Sequence, residues 1–431
     1  MIDIKDLRNR PEVYIENIKK RGKDGSVVKD VLKIDEEWRK IKLKADKLRA
    51  KRNDISKKIN EEKKKGRDVS SLLKKAKEIP KNMKKLEEKE KKIYEKLQNK
   101  LYDIPNLMHE SVPVGKDESE NIVRKKVGKI PKFVFPVKNH VEIVEKLEIA
   151  NFDESAKTSG NGFYYLKGDL ALLNRALINF AIDFMEKKGY RYIEPPLMIN
   201  KKIAKAKGDF ETFKTGLYKI EGEDLYLIPT AEDAILGMLS DQTIKEEELP
   251  MKFYGYSMCF RKEIGSHGIN EKGLWRTHQF NKVEQFIFCS PKDSWKYYEE
   301  LKKNSEEIMK MLNLSYRIVE SCSGDLGDWK AKSEDIEVYR PTTKNYGEVM
   351  SLSNCTDYQA RDLNIRGIDK KGKRYLLHTL NNTVLATSRI MVAIIENFQQ
   401  KNGSIKIPKV LVPYMNGKKF IKKNSAVVIL E

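Results

Sequence analysis

Two rhythms of apolar residues divide the chain. Ile34, Ile41, Leu48 and Ile55 recur every seven residues, with Trp38, Ala45 and Ile59 at the companion positions. The rhythm stops at Gly66-Arg67-Asp68 and restarts with Leu72, Ile79, Leu86 and Ile93, joined by Ala76, Met83 and Leu97. Heptads on both sides of a Gly-Asp break predict two helices of about 30 residues each, folded back as an antiparallel coiled-coil hairpin spanning about residues 31–100. Pro80 falls inside the second helix, where it removes a backbone donor and is expected to introduce a kink.

Beyond Asp103 the texture changes. "IPNLMHESVPVG" is loop-like. An amphipathic helix is expected over Leu170–Lys188, ended by Gly189, and "YRYIEPP" is expected as a strand stopped by Pro195-Pro196. Strand-like runs recur at Leu225–Pro229, Phe253–Arg261, Gln279–Phe288, Tyr316–Glu320, Glu348–Ser353 and Arg374–Leu380. "LLHTLNNTVLATSRIMVAIIENFQ" predicts a strand, a polar turn and then an apolar helix. Helices are few and irregularly placed, so the expected class is α+β: a largely antiparallel sheet with helices against it, without βαβ alternation.

Charge sharpens the division. At 431 residues two or three structural units are expected, and the net charge of +21 points to a polyanionic partner, with nucleic acid ahead of an anionic membrane surface. Between Val31 and Lys100 there are 26 Lys and Arg against 13 Asp and Glu, so most of the surplus sits on the predicted hairpin. That stretch contains only Trp38 and Tyr94 as aromatics, which favours recognition of RNA by backbone and shape over base stacking. A solvated coiled coil serving dimerisation accounts for the same charge run. No stretch approaches the roughly 18 apolar residues of a spanning helix. "MIDIKDLRNRPEVY" lacks the apolar core of a signal peptide, so a cytoplasmic location is expected. Cys259, Cys289, Cys322 and Cys355 are scattered without a Cys-x-x-Cys pair, and are expected as buried reduced thiols in preference to a zinc site.

Candidate chemistry lies where charges interrupt apolar strands. Gly367 to Lys373 imitates a phosphate-binding loop, but Arg374 stands where Ser or Thr should hold magnesium and a strand follows, so a hairpin turn is expected. In "CFRKEIGSHGINEKGLWRTHQFNKVEQFIF" (Cys259–Phe288), Arg261 and Glu263 are two apart, which puts them on one face of a strand; Lys282 and Glu284 are related in the same way. Cross-strand ion pairs would explain these charges, and so would a ligand. Thr230 and Glu232 follow a strand where a helix begins, although N-capping alone accounts for Thr230. Arg389 sits near the start of an apolar helix, where the helix dipole disfavours a cation and an anionic ligand would suit it.

Taken together, these segments resemble the class II aminoacyl-tRNA synthetases, and within them the seryl-tRNA synthetase family, over essentially the whole chain. "GYRYIEPP" is similar to motif 1, "FRKE" with "FNKVE" to motif 2 and "NNTVLATSR" to motif 3. "PTAE", "EVMSLSNCTDYQAR" and "LRAKRNDISKKI" carry the closer likeness. The resemblance implies a class II antiparallel core over residues 105–431 and an N-terminal tRNA-binding domain over residues 1–104 containing the hairpin. It implies activation of L-serine by ATP with Mg²⁺, transfer to tRNA(Ser), and a homodimer; use of tRNA(Sec) stays open. Arg261 would contact the α-phosphate and Arg389 the far phosphate, as the catalytic cations. Lys262, Glu263, Phe280, Glu348, Val349, Met350 and Ser351 complete the implied ATP site, with Glu263 on the adenine amino group, Phe280 under the ring, and Glu348 and Ser351 on the metal. Serine would sit among Thr230, Ala231, Glu232, Glu284 and Thr383, with Arg276 contacting substrate or the tRNA end. Asn382, Val384 and Ser388 stand where many members have glycine in motif 3, and "KAKGDFETF" keeps only Gly208 and Phe213 of the family's usual stretch. A catalytically degenerate RNA-binding protein and an amino-acid:carrier-protein ligase are the rival readings. Retention of the charged site residues weighs against the first and the basic hairpin against the second.

Overall fold

The computed structural model describes residues 1–208, 210, 214–263 and 272–423. The chain forms two compact units, Met1–Pro105 and Asn106–Glu431.

The first unit is helical: α1 (Ile4–Asn9), α2 (Pro11–Lys20), α3 (Ser26–Lys64) and α4 (Ser70–Leu101). Helix α3 has 39 residues, more than the heptads predict, because Val28, Val31 and Asp35 continue its buried stripe ahead of Ile41, Ala45, Ile55 and Ile59. The facing stripe of α4 buries Ile79 and Leu97, and Ile55, Ile59 and Ile79 pack with Leu48, Leu72 and Ala76. Helix α4 continues unbroken through Pro80, which lies on the exposed side, where water can replace the lost hydrogen bond. Across the hairpin Arg49 reaches Glu87 at 3.2 Å and Glu90 at 3.4 Å, and the Trp38 and Tyr94 rings lie 5.3 Å apart. Asp35 is fully buried on α3, 2.9 Å from Arg39 of its own helix and 3.3 Å from Arg8 of α1.

The second unit is built on an eight-stranded sheet. Its strands are β1 (Ile122–Val127), β2 (Arg191–Ile193), β3 (Met251–Phe260), β4 (Gln279–Cys289), β5 (Tyr316–Glu320), β6 (Lys332–Arg340), β7 (Asn345–Asn354) and β8 (His378–Ala386). They lie in the order β1-β5-β6-β7-β8-β4-β3-β2, antiparallel throughout except for the parallel pair β2 and β3. Helices α5 (His140–Lys146), α6 (Gly168–Lys187), α7 (Ala231–Met238), α8 (Ser294–Met311) and α9 (Thr387–Asn397) belong to the same unit. Phe180 and Phe184 of α6, Leu301 of α8 and Ile394 of α9 share one core with Tyr254, Ile287 and Val338 of the sheet. Ile235 and Leu236 of α7 pack in a second cluster with Phe253, Phe286 and Phe288.

Two expectations need correction. The single strand expected over Arg374–Leu380 is split: Arg374–Leu376 pairs with Arg366–Ile368 as the hairpin around Gly372, whereas His378 opens β8. The polar turn expected at Asn381, Asn382 and Thr383 is the middle of β8, which runs directly into α9. Buried side-chain partners make this possible, since Asn382 Nδ2 donates to the Leu301 carbonyl at 2.9 Å and to Ser305 Oγ at 2.8 Å. All four cysteines are free and buried. Among the described residues no helix is long and apolar enough to cross a membrane, and no cluster of three His, Cys, Asp or Glu could hold a metal.

Candidate active site

A cleft of three adjoining lobes opens among β3, β4, β7, β8 and the first turns of α7 and α9, with Glu348 and Ser351 where the three lobes meet and Arg261 between two of them. Arg261 stands one residue past β3. Its backbone N–H donates to the His278 carbonyl at 2.9 Å, its Nε to the Pro229 carbonyl at 3.3 Å, and its guanidinium lies 5.1 Å from the Phe280 ring centroid. Sequence alternation placed Arg261 and Glu263 on one strand face; instead the strand ends at Phe260 and Glu263 turns with φ of 50°, a left-handed conformation. Both side chains nevertheless line the same lobe, together with Phe280. Lys262 turns its ammonium toward the Tyr218 ring, 5.8 Å from the centroid.

The outer cations are tied together by Trp275. Arg389, in the first turn of α9, donates from Nη1 to the Glu348 carbonyl at 2.8 Å and to Glu348 Oε2 at 3.2 Å, and from Nε to the Trp275 carbonyl at 3.4 Å. Arg389 and Arg340 lie 5.4 and 4.3 Å from the centroid of the Trp275 ring. Arg340 is held at 2.9 Å by buried Glu396, which also meets His140 at 3.1 Å, and His140 Nε2 accepts from the Leu274 N–H at 3.1 Å. Burial pushes the Glu396 carboxyl up, but hydrogen bonds from His140, Arg340 and Thr342 outweigh it and hold the pKa at about 2. Arg276 is exposed beside this anchored segment and lines the two outer lobes.

Strand β7 presents Glu348, Val349 and Ser351 to the cleft while Met350 enters the core, because the register of β6 against β7 slips between Ile336 and Glu337 and leaves Val349 as a bulge. Any contact of Met350 with a ligand is therefore through its backbone. Desolvation by the cleft walls would raise the Glu348 carboxyl, but the charges of Arg389 and Arg261 keep it below the usual carboxylate range. Opposite Ser351 in the ladder, Asp335 has a buried Oδ1 without a hydrogen-bond partner, and burial together with Glu348 pushes its carboxyl up to about 7. Lys330 Nζ lies 3.4 Å from Ser351 Oγ.

The deep lobe mixes carboxylates with cations: Glu232, Glu263 and Glu348 line it beside Lys207, Lys282 and Lys330. Glu284 is fully buried on β4 between Gly255 of β3 and Thr383 of β8. The ion pairing considered across the hairpin occurs along one strand instead, between Lys282 and Glu284. Thr230 caps α7, accepting from the Glu232 N–H at 3.4 Å, and its hydroxyl also donates to Glu284 Oε2 at 3.4 Å and accepts from Lys282 Nζ at 3.2 Å. Asn381 Nδ2 bridges Glu284 at 3.1 Å and Glu232 at 3.2 Å, and Gln359 Nε2 donates to Glu232 at 2.9 Å. Ala231 is fully buried beneath this group. Thr383 borders the lobe that contains Phe280.

Lys207, Trp275, Lys330 and Asp335 belong to the cleft but were not singled out from the sequence. None of them carried a local signal: Asp335 takes the polar side of the alternation in β6, against Ile336 and Val338, and the others are defined by partners far away in the chain. Residues 264–271 of the Cys259–Phe288 segment, and Phe213, lie outside the described residues.

Both units of the chain are matched by known proteins. The family "Seryl-tRNA synthetase N-terminal domain" matches residues 1–108, and "tRNA synthetase class II core domain (G, H, P, S and T)" matches residues 213–398. The serine–tRNA ligase of Methanospirillum hungatei is 46% identical over 425 residues, covering 98% of this chain and 100% of its own. That of Thermoplasma volcanium is 44% identical over 443 residues, with the same coverage of 98% and 100%. The crystal structure of seryl-tRNA synthetase from Pyrococcus horikoshii complexed with ATP matches with a TM-score of 0.91 at 41% identity, over 99% of this chain and 100% of that one. Cytoplasmic serine–tRNA ligase from Naegleria fowleri in complex with AMP matches with a TM-score of 0.83 at 37% identity, over 96% of each chain. With its helical first unit and its sheet-based second unit both accounted for, the chain belongs to the seryl-tRNA synthetase family.

Proposed function

We propose that the chain is a serine–tRNA ligase that forms seryl-adenylate from L-serine and ATP and then esterifies tRNA(Ser). The observation that carries this reading is one cleft in which cations suited to phosphate adjoin a buried carboxylate lobe suited to an amino acid. The serine carboxylate attacks the α-phosphorus, a new O–P bond forms and pyrophosphate leaves. No general base is required, because the nucleophile is already ionised. Catalysis is then positioning and charge neutralisation, which Arg261 at the α-phosphate and Arg389 at the far phosphate would supply. Phe280 and Glu263 line one lobe, in which Phe280 would stack under adenine and Glu263 would accept from the amino group. In the second step a hydroxyl of the 3′-terminal ribose takes the seryl carbonyl and AMP leaves.

Glu348 and Ser351 offer oxygen donors that would suit magnesium, beside the unpartnered Asp335 Oδ1, with Arg389 and Lys330 at present on those two donors. So small a donor set suits an ion that takes its remaining ligands from phosphates, where it would spread the charge developing on pyrophosphate. Thr230, Glu232, Glu284 and Thr383 would bind serine. A site hydrogen-bonded to the serine hydroxyl rejects alanine by roughly 10⁴-fold, because alanine leaves buried polar groups unpaired. The basic hairpin would take the tRNA, and the active form would be a cytoplasmic homodimer. The decisive experiment is ATP–pyrophosphate exchange by the purified protein with each amino acid in turn; absence of serine-dependent exchange refutes the reading.

A further inference from the structure

Lys207 has no part in the mechanism described so far, yet it forms a wall of the deep lobe. Its side chain is only 5% exposed and follows a short turn, Lys205–Lys207. Burying an ammonium is costly unless it is paired and hydrogen-bonded. Lys207 is paired twice, with Asp233 Oδ1 at 2.6 Å and with Glu232 Oε2 at 3.0 Å. A counter-ion for Asp233 alone would account for a buried lysine, but not for the contact with Glu232. That carboxylate is gripped from three elements: Gln359 donates to Oε1 at 2.9 Å, while Asn381 at 3.2 Å and Lys207 share Oε2. Three donors from separate segments fix both the plane and the position of the carboxylate, leaving one lone pair, on Oε1, to the lobe. The two neighbouring acids also divide the cost of burial unequally. Burial raises both and Lys207 lowers both, yet Glu232 ends below the usual range while Asp233 is pushed up to about 6.

We propose that Lys207 is a positioning residue for serine, holding Glu232 in one orientation so that it can accept a donor of the incoming amino acid. The proposal rests on the reading of Glu232 as a serine ligand. It concerns the amino-acid half of the cleft and predicts little effect on ATP.

The test is Lys207→Met, which keeps the apolar stem and removes the charge, assayed by ATP–pyrophosphate exchange at varied serine and at varied ATP. Loss of one charge-assisted contact predicts a serine KM raised about tenfold or more, with the ATP KM within about threefold of wild type. Lys207→Arg should recover most of the loss, because a guanidinium can still reach both acids. A serine KM within about twofold of wild type, or equal rises for serine and ATP, overturns the proposal. If Lys207→Met does not fold, Lys207→Met with Asp233→Asn removes the buried charge pair together and carries the same expectations. Wild-type protein lacking serine-dependent exchange would instead refute the ligase reading itself, so the two failures are distinguishable.

Discussion

Gly347 can become alanine only if Trp275 moves. A Cβ built at Gly347 would lie 2.4 Å from Trp275 Cζ2 and 2.9 Å from Cη2, so the ring must retreat about 1 Å to reach an ordinary carbon–carbon separation of about 3.5 Å. The backbone of Trp275 accepts from Arg389 and its ring faces the same guanidinium, so the displacement falls on the cation proposed for the far phosphate. Overpacking of this kind costs about 1–3 kcal/mol, and a reacting group misplaced by about 1 Å can lose about 100-fold in rate. Gly347→Ala should therefore lower kcat/KM for ATP by about 10- to 100-fold, or about 1.4–2.7 kcal/mol of transition-state stabilisation. The serine KM should hardly change, because Trp275 does not border the deep lobe. Pyrophosphate exchange at varied ATP reads the first quantity, and varied serine the second. Adding Trp275→Leu to Gly347→Ala removes the clash, so the double variant should lose less than the two single losses combined. Exchange within about twofold of wild type in Gly347→Ala would refute the reasoning, as would serine and ATP constants rising in step.

Deleting residues 35–97 should leave serine-dependent pyrophosphate exchange largely intact and abolish aminoacylation of tRNA(Ser), measured as acid-precipitable seryl-tRNA. Arg261→Ala should slow both half-reactions by about 100-fold or more, since it removes the charge proposed to sit at the α-phosphate in each; normal exchange in that variant would remove Arg261 from its role. Glu396 is held at about 2 in the folded protein, below its unfolded value of 4.5. A depressed carboxyl contributes stability that is present above the unfolded pKa and lost as pH falls through the folded one. Thermal melts should therefore show a loss of about 3 kcal/mol between pH 4.5 and 2 that is missing in Glu396→Gln.

The arm was legible because its order is local: heptads and a Gly-Asp break specify a hairpin without reference to distant residues. Its start was misjudged because the first buried positions of α3 are Val28, Val31 and Asp35, and an aspartate breaks the apolar code unless its arginine partners are known. The same reason explains β8. Asn381, Asn382 and Thr383 read as a turn when their neighbours in space are invisible, but Glu232, Glu284, Leu301 and Ser305 supply the hydrogen bonds that let them lie inside a sheet. Alternation placed Lys282 and Glu284 together correctly and failed three residues beyond β3, where the left-handed turn at Glu263 ends the period of two. Lys207 and Trp275 had no local signature at all; each acquires meaning only from what the fold brings against it.

Asp35 gives the arm a mechanical property. One carboxylate is gripped by Arg8 of α1 and by Arg39 of its own helix, so a short helix at the base is riveted to a long lever. From Asp35 to the end of α3 at Lys64 the lever extends about 44 Å at about 1.5 Å per residue. A tilt of about 5° at the rivet would swing the far end by roughly 4 Å over that length, comparable to the spacing between neighbouring phosphates or bases in a nucleic acid. The aim of the tip is thus set by a residue at the opposite end of the lever.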